Sequence, residues 1–386
     1  MWRSLASNML TILAIVLFLL AGVILWGQGQ YTAEGPLDEA VCLRVERGST
    51  MTRVSRDLEE QGAIGSGTIF RIGARYSDKT GQLKAGSFLL REHASMQEIV
   101  DQITRGGAST CGTEIVYRVG VTRTQVEVRE LDPATRTFVE RADFDLKIGE
   151  FPEVFVQKRE QADTRFRIAV AEGVTSWQVV DALKSIEVLS GEVGTRPAEG
   201  MLAPHSYEVT RGSDRAALLA EMQALQERRI AETWAARREG LPFDTPEEML
   251  ILASIIEKET GVPDERGQVA SVFINRLERG MRLQTDPTVI YGVTKGEGVL
   301  GRGLRQSELR RVTPWNTYVI EGLPPTPIAN PGLASLQAAV APEETDYVFF
   351  VADGSGGHAF AETLEQHNRN VAKWRQIEAE RQNSGD

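Results

Sequence analysis

A run reading Met249-Leu-Ile-Leu-Ala-Ser-Ile-Ile256 is apolar around its whole circumference when wound as a helix. Such a helix has to be enclosed by other elements, so it fixes the centre of whatever domain contains it. Its ends are marked. Thr245 suits the cap, Pro246 the first helical position, and Glu248 completes a Thr-x-x-Glu capping box. Gly261 and Pro263 close the other end. The last turn carries Glu257 and Glu259. Carboxyls there face the negative end of the helix dipole and the edge of an apolar core, and both raise a carboxyl pKa. A carboxyl that keeps its proton near neutral pH is what a general acid requires. The alternative is a solvated helix end with no chemistry. The two glutamates stand two positions apart, about 200° around a helix, so they cannot share a face. Periodicity does not choose between them.

The other strong constraint is at the start. Met9–Trp26 is an apolar run broken only by Thr11. Wound as a helix it reaches about 27 Å, enough to cross a membrane core. Arg3 lies before it and no positive cluster follows, which predicts a short cytoplasmic tail, an uncleaved anchor and everything from Gln30 onward outside the cytoplasm. A cleaved signal peptide is the alternative, with Gly27-Gln28-Gly29 as a poor small-x-small site. The 386 residues, 41% apolar and 25% charged, suffice for two or three domains with cores. A net charge of −11 without a Lys/Arg cluster argues against a nucleic-acid binder. Cys42 and Cys111 bracket the first domain and are read as one disulfide or two buried thiols. One Cys pair and four scattered His make no zinc site.

An internal repeat organises the middle. Val41-x-Leu43-x-Val45 alternates like a strand, as does Phe166-x-Ile168-x-Val170. Gly48, Thr50, Val54 and Leu58 recur at the same offsets as Gly173, Thr175, Val179 and Leu183. Strand, turn and capped helix is the common unit. Residues 112–165 between the copies look β-rich, with Ile115, Tyr117, Val119, Val126 and Val128 alternating and a turn at Asp132-Pro133. Residues 213–240 read as a long connecting helix through Leu218, Met222 and Leu225. In the last domain, a second helix follows at Val269–Leu277. A polar stretch runs from Arg282 to Tyr291, and Pro/Gly-rich loops occupy 313–332. A strand at Tyr347–Val351 turns at Asp353–Gly357, and a final helix holds His367 to Trp374.

These last segments resemble the MltG/YceG-like family of endolytic murein transglycosylases. The resemblance rests on Ala253-Ser-Ile-Ile-Glu-Lys-Glu-Thr260, Val272-Phe-Ile-Asn-Arg-Leu277, Met281-Arg-Leu-Gln-Thr-Asp-Pro-Thr-Val-Ile-Tyr-Gly292, Asn316-Thr-Tyr318, Gly322-Leu-Pro-Pro-x-Pro-Ile328 and Gly356-Gly-His358-x-Phe360. Several independent segments in one order, across 246–375, make it specific. The N-terminal repeats look like that family's LysM-like units, a weaker match. After Glu199-Gly200 this chain reads Pro204-His205-Ser206-Tyr207, where the family tends to have Pro-Asp-Thr-Tyr.

The resemblance implies an α+β architecture: an anchor at 1–30, a first LysM-like domain at 36–111, the insert at 112–165, a second LysM-like unit at 166–212, a connecting helix at 213–245 and a catalytic domain at 246–386. It implies cleavage of the MurNAc–GlcNAc β-1,4 bond within peptidoglycan strands, leaving 1,6-anhydro ends, in an enzyme of the inner membrane. It also implies no cofactor and points to synthases of the wall elongation machinery as partners. The family alignment puts the catalytic glutamate at Glu259. Gln284, Thr285, Asp286, Asn316, Tyr318 and His358 are the candidate substrate-binding residues. Against these stand a loop cap for Asp286, an Asx-turn for Asn316 and a structural turn for His358. Two rivals remain: a hydrolase in which Asp286 activates water opposite Glu259, and a non-catalytic scaffold that only grips glycan.

Overall fold

The computed structural model describes residues 2–106, 109–147, 149–161 and 163–384, with side chains from residue 9 to 381. Met1 and the Arg3 side chain of the expected tail, Gly107 and Ala108, Ile148 and Ala162 of the insert, and Gly385 and Asp386 lie outside the described residues. The fold is mixed α+β with an N-terminal apolar helix. Contacts gather the chain into two compact units. One comprises residues 1–116, 127–144 and 148–166; the other comprises 117–126, 145–147 and 167–386. The stretch expected as a separate insert is thus shared between them.

The first unit begins with α1 (Trp2–Thr32), which runs past the expected apolar stretch without a break. Then come β1 (Val41–Val45), α2 (Met51–Glu60), α3 (Gly67–Tyr76), β2 (Gly86–Leu90) and α4 (Met96–Arg105). β1 and β2 pair antiparallel, from Val41 opposite Leu90 to Val45 opposite Gly86. Leu43, Leu58, Phe70, Leu90, Ile99 and Ile103 close the core between this ribbon and the helices. Cys42 and Cys111 are joined, with Cα atoms 5.9 Å apart, inside the range a disulfide spans. β3 (Thr113–Val119), β4 (Thr124–Asp132) and β5 (Thr137–Asp145) follow, then α5 (Glu153–Arg159).

β6 (Arg165–Val170), α6 (Ser176–Ser185) and β7 (Ser206–Val209) come next. The five later strands form one sheet in the order β5-β4-β3-β6-β7. The two strand–turn–helix segments share local geometry. Thr50 and Thr175 cap α2 and α6 by accepting from the backbone N–H three residues on. Gly48 and Gly173 ahead of them hold φ of +79° and +76°, a left-handed turn that suits glycine. The copies diverge afterwards: two helices separate β1 from β2, but α6 alone lies between β6 and β7.

The second unit continues with α7 (Arg215–Ala235), α8 (Pro246–Glu259), α9 (Arg266–Glu278), α10 (Asp286–Thr294), α11 (Gln306–Leu309), α12 (Leu333–Val340), β8 (Phe349–Ala352), β9 (His358–Ala361) and α13 (Leu364–Ser384). α8 starts with the capping box read from the sequence. α7, α9, α10 and α12 pack around it. Met249, Leu252, Ala253, Ile255 and Ile256 are fully buried. Each large side chain among them contributes about 1.5–3 kcal/mol on burial, so the helix cannot roll or slide cheaply. The last turn of α8 is thereby held at a fixed place and pitch. The stretch read as polar, 282–291, is in fact largely helical: Pro287 sits in the first turn of α10. Pro is tolerated there because its missing N–H has no partner in a first turn anyway.

Candidate active site

Glu259 is the final residue of α8, and the backbone becomes extended at Thr260. Thr260 is buried, and its hydroxyl accepts the Val262 N–H at 3.0 Å. The hydroxyl residue next to the glutamate therefore shapes the turn that carries the chain away.

Thr285 donates its hydroxyl to the Glu259 carboxyl. This threonine occupies the N-cap of α10, where the side chain ordinarily accepts from the helix backbone. It makes no such bond here. Gln284 before it is exposed and holds φ of +49°, a left-handed conformation costing about 1–2 kcal/mol for a residue with a Cβ. The turn is pinned on both sides: Gln284 N–H donates to Thr317 O and Thr285 N–H to Thr317 Oγ1, each at 3.1 Å. The strained turn aims the Thr285 hydroxyl at the glutamate instead of at its own helix.

The electrostatics favour an acid. Burial pushes the Glu259 carboxyl above the usual carboxylate range and the nearby Asp286 charge adds to this; the Thr285 hydrogen bond, His358 and Arg276 oppose it. Asp286 is exposed in the first turn of α10, and Tyr318 donates its hydroxyl to Asp286 Oδ1 at 2.7 Å. The Tyr318 phenol is raised, by burial first and then by that bond, so it remains a neutral donor. Glu259, Thr285, Asp286 and Tyr318 thus form one constellation.

Two other candidates serve the loops. Asn316 is fully buried. Its Nδ2 donates to the carbonyls of Glu308, Leu309 and Arg311 at 3.2, 3.1 and 2.7 Å, and its Oδ1 accepts the Tyr318 N–H at 3.0 Å. That is the Asx-turn, and it sets the position of Tyr318. His358, on β9, has Nδ1 2.7 Å from Glu265 Oε2, while its backbone N–H donates to Glu265 Oε1 at 2.8 Å. Its ring is held by Glu265 and bears on Glu259 through charge.

Arg276 and Glu265 escaped the sequence reading as site residues. Arg276 is buried, donating from Nε to Val348 O at 2.7 Å and from Nη1 to Leu283 O at 2.6 Å. Its place beside Asn275 in a recognised segment was the available signal; its cationic role appears only once α9 is folded beside α8.

Glu257 faces elsewhere. Its Oε2 accepts the Gly332 N–H at 2.9 Å and the Ser335 hydroxyl at 2.7 Å. Gly332 is the N-cap of α12 and has no side chain to offer. A glutamate from another helix supplies the missing acceptor and a negative charge at the positive helix end. Glu257→Ala should therefore cost about 1–3 kcal/mol by leaving those donors unmatched, with turnover per folded molecule retained. Urea unfolding together with an activity assay normalised to folded protein measures both.

The model of the YceG-like family matches residues 43–373. The endolytic murein transglycosylase of Streptococcus pneumoniae serotype 2 (strain D39) is 29% identical over 340 residues, or 86% of this chain and 58% of that protein. The chain thus spans less than two thirds of that relative's length. The protein of the same name from Bacillus subtilis (strain 168) is 27% identical over 357 residues, covering 92% of this chain and 91% of that one. A solved YceG-like protein from Listeria monocytogenes is 24% identical with a TM-score of 0.46, covering 86% of this chain and 98% of that chain. With the family model running from β1 into α13, the chain belongs to the YceG-like family.

Proposed function

We propose that this chain is a membrane-anchored lytic transglycosylase that cuts the MurNAc–GlcNAc β-1,4 bond inside peptidoglycan strands. One observation carries the reading: of the two carboxyls closing α8, Glu257 is committed to α12, while Glu259 is desolvated and accepts a single donated hydroxyl from a strained turn. Glu259 in its acid form protonates the leaving GlcNAc oxygen. The N-acetyl oxygen of the substrate stabilises the cationic C1. The Glu259 carboxylate then takes the C6 hydroxyl proton as O6 closes on C1, which gives a 1,6-anhydro end without water. One carboxyl suffices because the second nucleophile belongs to the sugar. Tyr318 and Asp286 orient hydroxyl or amide groups of the strand, Gln284 lines the exposed side, and Asn316 and His358 position their neighbours. The relatives' shared name, endolytic murein transglycosylase, supports the same activity. α1, apolar and exposed along Met9–Trp26, is the single-pass anchor, with the rest of the chain on the outer side.

A second reading has a specific footing. Asp286 is exposed close enough to Glu259 to disfavour its charge, so it could activate water. Digestion of purified glycan strands in heavy-oxygen water separates the two. The products should be anhydro-ended and free of label; labelled reducing ends would establish the hydrolase. The pH profile is a further expected result. A raised carboxyl is protonated over a wider range, so kcat should fall on the alkaline side, at a pH above the usual carboxylate pKa of about 4.3. A fall centred at or below that value would remove Glu259 as the acid.

A further inference from the structure

The end of α1 is built into the first unit. Tyr31 is buried in that unit's core, and its ring lies over Gly73 of α3, where a Cβ would come within 2.2 Å of Cε2. Upstream, the side chains from Met9 to Trp26 are all exposed. Tyr31 follows Trp26 by five positions, about 7.5 Å along a helix. The polar headgroup layer on each side of a hydrocarbon core is about 5–7 Å deep. With α1 spanning a bilayer, α3 is therefore packed against it at headgroup height.

The composition of α3 fits that place. Gly67-Thr-Ile-Phe-Arg-Ile-Gly-Ala-Arg-Tyr76 holds two arginines and no acid. Phe70 and Ala74 are fully buried on one face. On the opposite face Ile72 and Tyr76, four apart and so stacked together, are 63% and 93% exposed, with Arg75 exposed next to Tyr76. An aromatic, an aliphatic and a cation on one face of an amphipathic helix are the side chains that settle at a lipid–water boundary.

We propose that α3 is an interfacial helix, with Ile72 and Tyr76 inserted among the phospholipid headgroups of the same bilayer that α1 crosses and Arg75 meeting lipid phosphate. The proposal rests on α1 being the anchor. It gives the first unit two attachments to the membrane, one through the bilayer and one along its surface.

The test uses the full chain reconstituted in phosphatidylcholine–phosphatidylglycerol vesicles, with the Cys42–Cys111 bridge left oxidised. Ile72→Cys, Tyr76→Cys and Leu19→Cys are labelled one at a time with a small fluorophore. Nitroxide lipids carry the quencher either at the headgroup or in mid-chain. Leu19 reports the anchor and should be quenched by the mid-chain nitroxide. An interfacial helix lies about 5–10 Å into the headgroup and acyl boundary, so headgroup nitroxides should dim positions 72 and 76 by roughly twofold. Quenching at Leu19 with none at 72 and 76 overturns the proposal and leaves the anchor standing. No quenching at Leu19 removes the anchor and the proposal together. Ile72 and Tyr76 are largely exposed and lie outside the first unit's core, so their replacement should leave the fold intact.

Discussion

Glu259→Gln should lower strand cleavage by about 10²–10⁴-fold, the range over which one positioned acid–base group acts. Glutamine keeps the shape and can still accept the Thr285 hydroxyl, but it delivers no proton. Glu257→Gln keeps an acceptor for Gly332 and Ser335 and should leave turnover within a few-fold of native, about 1 kcal/mol of barrier at most. Both variants should retain native circular dichroism. The reverse ranking would assign the chemistry to Glu257 and falsify the present choice. Stability gives an independent readout. A carboxyl whose folded pKa is raised contributes stability fully present below its unfolded pKa and lost as pH rises through the folded one. Glutamine does not titrate, so Glu259→Gln should equal native stability in acid and exceed it on approach to neutrality. A variant less stable than native at neutral pH would mean that the site favours the anion.

Removing the disulfide should have the largest effect on folding. Cys42 and Cys111 are 69 positions apart. The loop-closure entropy released to the unfolded chain by a loop of that size is about 4 kcal/mol. A double Cys→Ser variant, or the native protein under reducing denaturation, should show its urea midpoint fall accordingly in the transition of the first unit. Turnover by the folded fraction should be little changed, since Glu259 and its partners all lie in the second unit. A loss of unfolding free energy under about 1 kcal/mol would mean that the native fold or the reduced chain already restrains that loop.

The elements legible in advance were those whose signals are local. α8 announced its start through Thr245, Pro246 and Glu248 and its end through Gly261 and Pro263, and its uniform apolarity required the enclosure that α7, α9, α10 and α12 supply. Helical periodicity placed Glu257 and Glu259 on opposite faces, but only the family resemblance ranked them, because what physically distinguishes them arrives from far along the chain: Gly332 and Ser335 for one, Thr285 for the other. Asn316 had an Asx-turn reading from the outset, yet only the fold shows its amide spent on three carbonyls. The 282–291 stretch read only as polar because its helix, starting at Asp286 with Pro287 next, is too short and too polar at its start to show a helical period. The sheet order β5-β4-β3-β6-β7 joins strands across gaps that no local pattern encodes.

The unbroken course of α1 into the core at Tyr31 has a consequence for how substrate is met. A disordered tether lets its cargo explore a volume, and the local concentration it confers falls steeply as the tether lengthens. Here Tyr31 is locked against Gly73 before the helix ends. With α1 in a bilayer, the first unit keeps one height and one tilt, and what remains to it is drift in the plane and spin about the membrane normal. If a glycan strand is the substrate, as proposed, its encounter with the anchored chain is two-dimensional, governed by lipid viscosity rather than by chain entropy.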